Sequence, residues 1–266
     1  IRTVMLLRRQ LSQEQMRTNP WLTLKRKGNL PVVERRGLQS FLKFPARRYA
    51  RMKLMVVIAA MCQVAAYRGT TPAVIASGIC LFVFGLEVIE PLSQEVDKPE
   101  RTDSLPVDRG ALMLRHLVVP ALMLVPFALT AVITAAIFET NGTAIATAAI
   151  LAPFALAAGM AGAIINAVKG APDPLGDNSK SLFMPPEVAG MTTMTRAVWP
   201  VIVAILGSLP VLAVREAAKQ GEHPVAAAVQ MCVGVALLLF LVAGWVRQRD
   251  AIRRWWKTFV DPTSGK

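Results

Sequence analysis

Six stretches of this sequence are apolar over lengths comparable to the thickness of a bilayer, and no other feature restricts the fold as strongly. A helix rises about 1.5 Å per residue, so roughly 20 apolar residues cross the hydrocarbon core. The stretches are residues 54–67, 72–89, 117–138, 143–168, 197–214 and 225–246. The first is short, and reaches spanning length when 49–53 are added, with Arg51 and Lys53 snorkelling to the headgroups. Tight polar connectors separate several of them: Arg68-Gly69-Thr70-Thr71 after the first and Glu139-Thr140-Asn141-Gly142 after the third. Backbone polar groups in hydrocarbon must be satisfied within the segment, so the runs predict helices. The expected fold is all-α: a polytopic bundle of six transmembrane helices preceded by an N-terminal amphipathic interfacial helix.

Charge supports this and sets an orientation. Only 18% of residues are charged, against about a quarter in soluble domains. The net charge of +13 invites a nucleic-acid reading. Its distribution opposes that, because the basic residues gather at the two ends with no recognition motif beside them. Lys and Arg number 14 in residues 1–53, 4 in 90–116, 3 in 169–196 and 6 in 247–266. The remaining connectors hold only Arg68, Arg215 and Lys219. By the positive-inside rule both termini and the two long loops are expected in the cytoplasm, and the protein in a bacterial plasma membrane among anionic lipids.

The chain divides into a basic cytoplasmic and interfacial segment (1–53), a transmembrane domain (54–246) and a basic tail (247–266). Residues 1–17 have helical composition and stop at Asn19-Pro20. Residues 38–53 interleave Leu38, Phe41, Leu42, Phe44 and Tyr49 with Lys43, Arg47, Arg48 and Arg51, the pattern of a segment lying in the interface, with Pro45 breaking or starting its helix. Trp255 and Trp256 repeat the theme in the tail. The sequence opens Ile1-Arg2 and its first 50 residues are polar, which suits a trimmed start or a piece of a longer polypeptide.

Catalytic chemistry is hard to find. There is no Gly-rich phosphate loop, no HExxH and no nucleophile with a neighbouring base. Cys62, Cys80 and Cys232 fall inside apolar runs as small buried residues, and His116 and His223 are expected on opposite sides of the membrane. No catalytic residue, cofactor or metal ligand is therefore assigned. Two acids stand out at the end of the second span, Glu87 and Glu90, because a carboxylate at the membrane boundary needs protein, a cavity or a partner to face. The loop after them alternates charge through Glu95, Asp97, Lys98, Glu100, Arg101, Asp103, Asp108 and Arg109, with Leu92, Val96 and Leu105 between; it reads either as a solvated linker or as a docking surface. In the loop 169–196, Asp173-Pro-Leu-Gly-Asp177 has the letters of a Pro-Gly turn, and also a carboxylate spacing that can hold magnesium for a diphosphate. Within the spans polar residues are few: Gln63, Asn166, Ser208 and Gln230. Small residues four apart (Ala155 and Gly159, Ala158 and Gly162) allow close helix packing, and prolines at 120, 126, 153, 200 and 210 predict kinks.

With its basic interfacial segment, charged loop between the second and third spans and short outer segment between the last two, the plan resembles the permease subunits of ABC-2-type exporters. Pro31-Val-Val-Glu-Arg-Arg, the stretch from Glu90-Pro-Leu-Ser-Gln-Glu to Asp103-Ser-Leu-Pro, and Pro185-Pro-Glu-Val-Ala-Gly-Met are similar to actinobacterial members, over about residues 30–247. The resemblance implies a non-enzymatic transmembrane subunit whose ATP hydrolysis comes from a separate, Mg- and ATP-binding ABC ATPase. It also implies a second permease half or copy as partner. It makes Glu95, Asp97, Arg101, Asp103 and Arg109 candidates for ATPase contact through a coupling helix, and residues 38–53 the connecting helix. The outer segment 215–224 is shorter than such permeases have. Two other readings stay open: an intramembrane prenyltransferase using acidic loops, for which Asp97, Asp103 and Asp108 are widely spaced, and an accessory subunit of a larger membrane complex.

Overall fold

The computed structural model describes residues 20–22, 31–96, 108–168 and 198–260. The helix expected at 1–17, the acids Asp97, Asp103, Asp173 and Asp177, and Arg101 lie outside the described residues. All regular structure among the described residues is helical. In chain order the helices are α1 (Val32–Leu42), α2 (Ala46–Arg68), α3 (Ala73–Val88), α4 (Glu90–Val96), α5 (Arg109–Phe138), α6 (Gly142–Val168), α7 (Val198–Lys219) and α8 (Pro224–Val260). Five of them, α2, α5, α6, α7 and α8, are long and apolar enough to cross a membrane. The expected second span is α3, apolar but only 16 residues long. The chain is a multi-pass helical membrane protein.

Long-range contacts fix how the helices run. Arg48 near the start of α2 meets Glu87 near the end of α3, so α3 returns antiparallel to α2 over nearly its whole length. Gly69 makes the reversal with φ of 131°, a backbone region that side chains disfavour, and Thr70 N–H closes on Ala65 O at 2.9 Å. Arg68 pairs with Glu139 at the end of α5, and Arg215 of α7 donates to Ala66 O and the Thr71 hydroxyl. These residues mark one end of the bundle, here the far end. The other, the basic end, holds Arg48, Glu87, the start of α5 and Arg247.

At the centre stands α6, about two-thirds buried over its apolar window, against about one-fifth for α8. Its small residues explain the difference. A Cβ on Gly159 would lie 2.5 Å from Leu81 O, and one on Gly85 would lie 2.5 Å from Gly159 O, so α3 and α6 touch backbone to backbone. Ala158 faces Gly207 and Gly162 faces the Pro200 carbonyl, which brings α7 as close. Both expected small-residue pairs are thus spent on packing. On the rim the reverse holds: Leu122, Val125, Leu129, Ile133 and Ile137 form an exposed stripe on α5, and Leu237, Phe240 and Leu241 another on α8. Stripes that apolar suit lipid rather than water.

Proline acts less uniformly than its spacing predicts. Pro120, Pro126 and Pro153 lie inside unbroken helices. Pro210 marks an interruption in α7: Leu209 N–H reaches back three residues to Leu206 O, and the ladder restarts at Pro210. Residues 38–53 are not one interfacial helix. Lys43, Phe44 and Pro45 turn the chain, Pro45 caps α2, and α1 buries Gly37 and Phe41, with Gly37 close to Val119 of α5. The physical reason is that Pro45 has no N–H to continue α1 but suits a helix start.

Candidate functional site

The elbow between α1 and α2 builds the most concentrated polar arrangement among the described residues. Phe44 at its corner is fully buried, its ring 5.0 Å from that of Phe41 and 6.1 Å from that of Tyr49. The Tyr49 hydroxyl donates to Phe41 O, and the Trp21 indole donates to Phe44 O, each at 2.8 Å. The turn's carbonyls, freed where the α1 ladder stops, therefore have donors.

Arg48 follows one helical turn later. It is 7% exposed, and its guanidinium lies 3.9 Å over the Phe44 ring. Nε sits 2.9 Å from Glu87 Oε2, while Nη2 donates to the Glu87 backbone O at 3.0 Å and lies 3.5 Å from Glu90 Oε2. One cation thus binds a carboxylate, covers an aromatic face and caps the carbonyl end of α3, where the helix dipole is negative. Glu87, itself buried, also takes Arg51 Nη2 at 2.5 Å. Arg51, expected to reach headgroups, is half exposed and points its donor inward instead.

The two boundary acids are therefore brought together, as a joint between two corners of the chain. Ile89 separates α3 from α4 by one non-helical residue, and Glu90 opens α4. Leu92 is wholly buried beneath the bundle, which docks α4 against α5 and α6. Of the proposed ATPase contacts, Glu95 lies on α4 and Arg109 opens α5, where Asp108 Oδ2 accepts Ala111 N–H at 3.0 Å. Sequence reasoning singled out Glu87 and Glu90 and missed Arg48 as their partner. The available signal was the rule that a buried acid needs a cation, together with the basic run from Lys43 to Lys53 at the start of the first span.

His116 lies on α5 near the basic end and His223 just before α8 at the far end. No group of His, Cys, Asp and Glu able to hold a metal occurs among the described residues. What the arrangement offers is stiffness, since one buried cation ties α2 to the end of α3 and the start of α4. Comparison with protein-family models, curated proteins and solved structures finds no match.

Proposed function

We propose that this chain is the transmembrane subunit of an ATP-driven exporter of the ABC type, with six spans, its basic end in the cytoplasm, and hydrolysis supplied by a separate ATPase. The observation that carries the reading is the Arg48–Glu87–Glu90 joint. A permease that is moved from the cytoplasm needs elements there that do not flex independently of the spans. The joint lashes the foot of α2 to the end of α3 and the start of α4, and Leu92 buries α4 under the bundle. Force applied to the segment after α4 would pass into α2 and α3 together. That α3 runs antiparallel beside α2 from the Gly69 turn to Glu87 supports its role as the short sixth span.

The test is to purify the chain in mild detergent from cells expressing its neighbouring genes and identify what accompanies it. A stoichiometric nucleotide-binding subunit, lost when Asp97, Arg101 and Asp103 are reversed together, is the expected result. Each exposed pair contributes at most about 1 kcal/mol, so the triple change is the informative one. Wild-type chain that recruits no ATPase and supports no ATP-dependent flux would end this reading.

A further inference from the structure

Two adjoining cavities lie between α2, α5, α6 and α7. The outer one has a volume of about 50 Å³ and reaches the far end at Tyr67 and Glu139; the inner has about 10 Å³ and reaches down to Val56, Leu81 and Leu156. They share Ala60, Gln63, Ala131 and Ala152. Their origin is compositional. Where α6 meets α3 and α7, glycine lets backbones touch, whereas at this corner alanines on three helices are too small to fill the gap and too large to close it.

The lining sorts by depth. Every polar residue is on the outer cavity: Glu139, Tyr67, Thr147 and Gln63. Gln63 alone continues into the inner one, which is otherwise aliphatic. No Lys or Arg lines either. The Thr147 hydroxyl donates to Ala144 O, which leaves its oxygen free to accept, and Gln63 has no hydrogen-bond partner among the described residues. A carboxylate, an aromatic face and acceptor oxygens over an apolar pit suit a cation with a short tail. At roughly 10–15 Å³ per water-sized group the two cavities hold about five non-hydrogen atoms.

We propose that these cavities are a binding site for a short primary alkylammonium, its head and most of its chain in the outer cavity beside Glu139, Tyr67 and Gln63 and only its terminal methyl in the inner one. Arg68 is the built-in competitor. It pairs with Glu139 at 2.6 Å and also donates to Phe138 O, and as the more exposed partner, 57% against 21%, it would be released into solvent by a bound cation. The inference stands on the cavities; only the further step, that the cation is cargo, rests on the exporter reading.

The experiment measures saturable binding of labelled n-butylammonium to the full chain in nanodiscs, with empty nanodiscs subtracted. It needs neither ATP nor an ATPase, so its failure is separate from failure of the exporter reading. Glu139→Gln should weaken binding at least tenfold, and Arg68→Gln should tighten it severalfold by removing the competitor. Ala152→Leu should weaken butylammonium more than methylammonium by filling the inner cavity. Glu216→Gln, at the same end but off the cavity, should leave affinity unchanged. Butyrate or butanol should compete at least tenfold less well. No saturable binding, equal competition by butyrate, or weakening by Arg68→Gln would overturn the assignment.

Discussion

Arg48 and Glu87 stand 39 residues apart in sequence and 2.9 Å apart in space, both almost fully shielded from solvent. A buried pair of this kind stabilises little relative to apolar residues of the same shape, because both charges give up hydration. Removing one partner is another matter, since the survivor stays buried and uncompensated.

Glu87→Ala should therefore destabilise the chain by about 3–5 kcal/mol, and Arg48→Met with Glu87→Leu should cost much less than Glu87→Ala alone. Thermal unfolding in detergent can be followed with a thiol-reactive dye, because Cys62, Cys80 and Cys232 all sit within helices and are at least partly covered. A Glu87→Ala protein that melts with wild type would remove the joint from any account of rigidity.

Gly159 and Gly234 make a matched contrast. A side chain at Gly159 meets the Leu81 carbonyl, while one at Gly234 meets nothing within 4 Å. Gly159→Leu should force α3 and α6 apart, costing more than the roughly 1–3 kcal/mol typical of overpacking, and Gly234→Leu should be nearly neutral. Size-exclusion profiles and melting temperatures of the two variants decide it. Equal behaviour would mean that α3 and α6 do not touch through backbone.

Filling the outer cavity should do the opposite of the Gly159 change. Ala131→Val adds two methyl groups where space exists, for a gain of about 0.5–2 kcal/mol. A lower melting temperature would show that the alanine corner is closed in solution.

Single cysteines at 69, 141 and 220, in a background lacking the native three, should react with a membrane-impermeant reagent added outside intact cells. Cysteines at 98 and 178 should not. This follows from the 27 basic residues on the expected cytoplasmic side and the three elsewhere. Labelling at 98 from outside would invert or break the six-span topology.

Helix positions were legible in the residues because apolar length is a local property. Six of the eight described helices cover the six apolar runs, while α1 and α4 lie outside them, and the Gly69 turn and the Glu139-Thr140-Asn141 break fall where polar residues interrupt the runs. The close-packing role of Gly159 and Gly162 was legible for the same reason: each lies four residues after an alanine, Ala155 and Ala158, on the same helix face. What escaped was tertiary. Arg48 looked like any other basic residue of an interfacial stretch, because only the return of α3 brings Glu87 to it. The alanine corner was equally invisible, since alanine in a span reads as a packing residue whether or not its neighbours close on it. Within residues 38–53 the break at Pro45 was legible from its missing N–H, whereas the burial of Phe41 and Phe44 beside it was not, because an amphipathic pattern reads the same in an interface as against a bundle.

The position of α6 carries a consequence for biogenesis. Its glycine face is completed by α3, which is made before it, and by α7, which is made after it, with α8 closing another flank. While α7 and α8 are still in the ribosome, Gly162 and Gly207 lack each other's helices, and the α6 surface they will cover borders lipid or the insertion machinery. A chain interrupted after residue 168 would hold every apolar segment needed to enter the bilayer, yet would display an unfinished seam. Quality-control proteases that survey the membrane for such seams would find theirs on α6.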